Sequence, residues 1–118
     1  MKKLFQVRSR QRDAETDKRR VGSIVQSIDA AIASATKERD ALQSRVSDAR
    51  DLASFASGTA HDEHLTREPA DEKILKEYEL QMENGVKRIC ELNQHIVSLI
   101  ELRDLSSRSF FHLLQSAQ

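Results

Sequence analysis

The segment His61-Asp62-Glu63-His64 is the one place in the sequence where side chains able to hold a metal ion cluster. Imidazole and carboxylate ligands of this kind suit zinc or nickel, and two histidines three residues apart can share one face of a helix. A closed site needs four ligands, however, and His95 and His112 lie far along the chain. The segment reads instead as a solvated polar loop, and no metal is assigned to it. Cys90 is the lone cysteine, so no internal disulfide forms. As a reactive thiol it would need a base and a thiolate-stabilising setting, and its neighbours Ile89 and Glu91 supply neither. It is expected to be a small side chain beside a helix seam. The sequence has no Gly-rich phosphate loop, no nucleophile elbow and no carboxylate pair at active-site spacing. No catalytic residue and no cofactor are assigned, and a non-enzymatic protein is expected.

Charge is the stronger signal. The net charge is zero, yet residues 1–20 carry eight Lys or Arg against Asp13, Glu15 and Asp17. A basic end on an otherwise acidic chain implies a directional binding surface. Arg8, Arg10, Arg12, Lys18, Arg19 and Arg20 are the candidate partner-binding cations. Nucleic acid is a disfavoured ligand, because no aromatics interleave with these charges, acids interrupt them and no reader motif is present. A membrane surface is disfavoured too, since residues 8–20 have almost no apolar face.

The elements that position these groups are helices. Charged residues make up 32% and aromatics 4%, and Gly and Pro together number four, a composition poor in turns and in sheet formers. From Val21 onward apolar residues recur at alternating steps of three and four: Val21, Val25, Ile28, Ile32 and Ala35, then Leu42, Val46, Ala49, Ala53 and Ala56, with Arg39 in the one missing place. That is the heptad spacing of a coiled-coil seam. Ser57-Gly58 resembles a helix C-cap, residues 57–69 lack periodicity, and Pro69 stands where a helix can begin. A second heptad stripe follows in Leu75, Tyr78, Met82, Gly85, Ile89, Leu92, Ile96 and Leu99, interrupted by Arg103 and resumed by Phe110 and Leu113. The expected fold is all-α: a long antiparallel two-helix coiled-coil hairpin in a single domain, with helix 1 over about 8–56, a loop over about 57–69 and helix 2 over about 70–115. In this register Ile28 faces Leu99 and Leu42 faces Gly85. Arg39 and Arg103 are expected to reach to the seam's edge and pair with an acid.

Helix 2 carries more apolar side chains than one Ala-rich partner covers. Val86, Val97 and Ile100 lie off its seam and are candidates for self-association, through which two hairpins could form a four-helix bundle. Phe110, Phe111, Leu113 and Leu114 form an apolar cluster that the hairpin brings back toward the basic residues, and they complete the candidate partner-binding set. Apolar anchors beside a basic rim suit a protein–protein contact. No apolar run approaches the ~20 residues that span a bilayer, so no membrane insertion is expected and a cytoplasmic location is.

The run Leu4-Phe5-Gln6-Val7-Arg8-Ser9-Arg10-Gln11-Arg12-Asp13-Ala14-Glu15 resembles the opening of the coiled-coil stalk proteins of bacterial type III export systems, the FliJ and YscO-like family. Beyond residue 20 only the architecture is similar. The resemblance implies a helical hairpin like the central stalk of a rotary ATPase, with protein partners that include a ring-shaped export ATPase and the export gate. It assigns the basic end as a contact region and no individual residue.

Overall fold

The computed structural model describes residues 8–62 and 69–115, with side chains described for 8–55 and 72–115. The chain forms α1 (Arg10–Asp62), α2 (Pro69–Ser109) and a short α3 (Phe111–Gln115), and no strand occurs among the described residues. The fold is the expected antiparallel hairpin of two long helices.

Ser9 starts α1. Its Oγ accepts a hydrogen bond from the Arg12 amide at 3.3 Å, and its carbonyl accepts one from the Asp13 amide at 3.0 Å, so the side chain satisfies a donor that the first turn leaves without a helical partner. Asp13 places a carboxylate in that turn, where the helix dipole favours it. The C-terminal end of α1 differs from the sequence expectation. The helix passes through Ser57-Gly58 and continues to Asp62. One glycine costs a helix only about 1 kcal/mol relative to alanine, and Ala53, Ala56 and Ala60 surround this one. The connection therefore falls on residues 63–68, outside the described residues. Helix α2 begins at Pro69, whose missing N–H would have had no helical partner at that position. It stops at Ser109 rather than near 115, and Phe110 separates it from α3. Ser106, Ser107 and Ser109 lower helix propensity there, and the Ser106 Oγ donates back to the Leu102 carbonyl at 2.9 Å, a bond that competes with regular helix geometry.

The helices pack in two compact units: Met1–Ser34 with Ile96–Gln118, and Ala35–His95. In the first, Val21, Ile28 and Ile96 are buried, Val25, Ile32 and Leu99 are half-buried, and Arg103 pairs with Asp29 across the helices. In the second, Val46, Leu92 and Gly85 are buried and Ala35, Arg39, Leu42, Ala49, Ala53, Leu75, Tyr78, Met82 and Ile89 are half-buried. Every described seam residue from Val21 to Ala53 on α1, and from Leu75 to Leu99 on α2, is thus at least half-buried. Arg39 donates to Asp40 and to Asn93 on the opposite helix, both at 3.2 Å. The two interrupting arginines therefore behave as the seam pattern predicts.

The second unit fixes the register. A Cβ built on Gly85 would lie 2.6 Å from the Val46 Cγ2. Leu42 lines the same groove as Gly85, but it is Val46, one turn further along, whose methyl occupies the space left by the missing side chain. Arg88 donates to both Glu38 carboxylate oxygens, at 2.8 and 3.3 Å, and to Glu91 at 3.3 Å. The hydrogen bonds from Arg88, aided by its charge, hold the Glu38 carboxyl below its ordinary value.

Two expected outcomes test this packing. Gly85→Ala should lower stability by about 1–3 kcal/mol through overpacking, since Val46 is β-branched and cannot swing away in a helix. Val46→Ala in the same chain should recover part of that loss. Thermal and urea melts followed by circular dichroism measure both, and a stabilised Gly85→Ala protein would refute the close approach. Because the Glu38 carboxyl is depressed in the folded chain, its contribution is present above pH ~4.5 and is lost as the pH falls through the lower folded value. Glu38→Gln should therefore lower the melting temperature slightly at neutral pH, with the difference shrinking below pH ~4.5. The effect is small because the pair is solvent-exposed. A difference that persists undiminished at the acid end would reject the pairing.

Candidate functional site: a basic and apolar surface in the unit 1–34 and 96–118

The structure divides the six candidate cations. Arg8 pairs with Asp13 at 3.1 Å, and Arg20 pairs with Asp17 at 3.4 Å. Arg19 donates to the Thr16 hydroxyl at 3.5 Å, and Lys18 is half-buried. Arg10 and Arg12 are exposed and take part in no ion pair among the described residues. The charge available to a partner is concentrated on Arg10, Arg12 and Arg19, while Arg8 and Arg20 are partly neutralised by acids on their own helix. Thr16 and Asp13 are half-buried, whereas Ala14, the one apolar side chain of this stretch, is exposed. The helical phase that buries Val21 places Lys18 toward α2 and leaves this part of the seam polar.

The aromatic cluster belongs to the same unit. Phe110 and Leu113 continue the α2 seam and are partly covered; Phe110 is 39% exposed. Phe111 is 57% exposed, and Leu114 is half-buried. The Phe110 carbonyl accepts from both the Leu113 and Leu114 amides at 3.0 Å, which tightens the turn that carries these side chains. The cluster therefore has two sides, Phe110 with Leu113 along the seam and Phe111 with Leu114 around from it.

Val97 and Ile100, 56% and 44% exposed, lie in this unit, while Val86, also exposed, belongs to the other. All three are off the seam, as expected. Exposed Ile24, Leu52 and Phe55 on α1 were not picked out from sequence; Phe55 is 76% exposed. Their spacing carries no stripe of its own, so periodicity had no means of marking them.

In the unit 35–95, Leu42, Val46, Met82 and Gly85 floor an open groove of about 360 Å³, and Arg45 and Arg88 stand at its rim. Arg88 is committed to Glu38 and Glu91. The groove is the space around a seam position without a side chain, and it holds no arrangement of acid, base or nucleophile. His61 and Asp62 fall in the last turn of α1 rather than in a loop, while Glu63 and His64 lie outside the described residues. No group of three or more His, Cys, Asp or Glu able to hold a metal occurs among the described residues. Cys90 is exposed on α2, beside the seam. No helix is long and apolar enough to cross a membrane among the described residues. No family model, no curated protein and no solved structure matches the chain.

Proposed function

We propose that this chain is a non-enzymatic coiled-coil adaptor that binds another protein through the surface built from the start of α1 and the end of α2, in the manner of the stalk of a type III export apparatus contacting its ATPase ring. The observation that carries the reading is the coincidence, in one unit, of exposed arginines without an acidic partner, Arg10 and Arg12, and exposed aromatic side chains, Phe110 and Phe111. The cations favour an acidic surface on the partner and speed encounter with it. The aromatic and leucine side chains supply apolar area that slows release. The polar, half-buried contacts around Thr16 and Lys18 contribute little to holding the helices together, so this unit can adjust to a partner more readily than the one closed by Val46 and Gly85. The resemblance of residues 4–15 to the export stalk family supports the choice of partner.

The test is titration of the full chain against a purified type III export ATPase by surface plasmon resonance. Binding is expected, with Phe110→Ala raising Kd about tenfold or more through faster dissociation, equivalent to roughly 1.4 kcal/mol. Arg10→Glu with Arg12→Glu should mainly slow association, and the wild-type association rate should fall as salt rises. Absence of binding to the ATPase refutes the export-stalk assignment. Binding that survives both sets of changes refutes the surface. Binding to duplex DNA with a steep salt dependence would instead favour a nucleic-acid function.

A further inference from the structure

On the part of α2 that lies in the unit with the start of α1, the seam runs Ile96, Leu99, Arg103, Ser106, and Phe110 and Leu113 continue it. One residue after each stands a second stripe at the same alternating spacing: Val97, Ile100, Asp104, Ser107, Phe111 and Leu114. A shift of one residue turns the stripe by about 100° around the helix, so α1 covers the first and leaves the second outside. Val97, Ile100, Asp104 and Phe111 are exposed accordingly. The break at Phe110 does not end the stripe, because the Phe110 amide still bonds the Ser106 carbonyl at 3.1 Å and the Leu114 amide the Phe110 carbonyl at 3.0 Å.

The order of side chains along this stripe reads the same in both directions: two apolar, two polar, two apolar. We infer that the outward face of α2 from Val97 to Leu114 pairs with the same face of a second copy of this chain, antiparallel and about a two-fold axis passing between Leu105 and Ser106. Antiparallel coiled-coil helices oppose alternate seam positions, which sets Val97 against the partner subunit's Leu114 and Ile100 against the partner subunit's Phe111. Asp104 then meets the partner subunit's Ser107, a carboxylate opposite a hydroxyl that can donate to it. Charge agrees with this register. Glu101 and Arg108 flank the stripe on one side, both are exposed, and neither takes part in an ion pair within the chain among the described residues. Antiparallel pairing brings Glu101 beside the partner subunit's Arg108, and the two-fold axis makes that bridge twice. Parallel pairing in register would set Asp104 on the partner subunit's Asp104 and Glu101 on the partner subunit's Glu101, which like-charge repulsion disfavours. A central polar layer is also what fixes register in such interfaces.

Sedimentation equilibrium of the full chain tests the pairing, with circular dichroism as the check on folding. The wild type should sediment as a dimer. Val97→Glu with Ile100→Glu should give a monomer of unchanged helix content. Glu101→Arg alone should weaken dimerisation at least tenfold, and adding Arg108→Glu should restore it. In a Cys90→Ser background, an Asp104→Cys chain mixed with a Ser107→Cys chain should oxidise to a disulfide-linked pair. A wild type that stays monomeric at 100 μM overturns the proposal, as does a Val97→Glu, Ile100→Glu chain that stays dimeric. Failure of the charge exchange to restore association overturns the register. A monomer whose outward face is instead protected from hydrogen exchange by the export ATPase would assign that face to a different protein.

Discussion

Close approach of α1 and α2 at Gly85 is the contact on which the packing of the unit 35–95 turns. The α1 side of the seam is rich in alanine, and alanine buries little area unless the partner backbone comes near. Gly85 permits that approach, and Val46 fills the space it leaves. The remaining core is sparse: Val21, Ile28, Val46, Leu92 and Ile96 are the buried apolar side chains among the described residues, and Leu92, at 2%, is the most enclosed. Each is worth about 1.5–3 kcal/mol on burial, so there is little surplus against the ordering of two long helices. A hairpin stabilised this thinly has reason to recruit a further surface.

Polar contacts across the helices settle where along each other they rest. Arg39 with Asn93, Arg88 with Glu38 and Arg103 with Asp29 each join one helix to the other. Such exposed pairs add little stability. A slip of one turn, however, would part all of them and move Val46 away from Gly85. The seam gives attraction without a unique position, and these contacts select one.

The same economy explains what remains outside. A helix partner covers roughly a third of the circumference, so apolar residues one step beyond the seam cannot be buried by it. On α2 these include Val97 and Ile100, with Phe111 continuing the line in α3. On α1 the corresponding surface near its start is cationic. Apolar and charged side chains with nothing in the chain to satisfy them are the features that give this protein a surface able to bind, and they support an interaction role more directly than anything in the groove beside Gly85.

The sequence by itself determined the helices and the seam. Heptad spacing alone places every described residue from Val21 to Ala53 and from Leu75 to Leu99 that faces the partner helix, because side-chain direction on a helix follows from position. It also marked Arg39 and Arg103 as edge residues, and Val86, Val97 and Ile100 as uncovered. Helix ends were less legible, since Ser57-Gly58 reads locally as a stop while the propensity of its neighbours carries α1 on to Asp62, and the serines before Phe110 break α2 early. Only the tertiary structure decided the register, the acids that neutralise Arg8 and Arg20 but leave Arg10 and Arg12 free, and the division of the aromatic cluster between two faces. Those depend on how far one helix slides along another and which side chains then meet, and a distance across two helices is written in neither stripe alone.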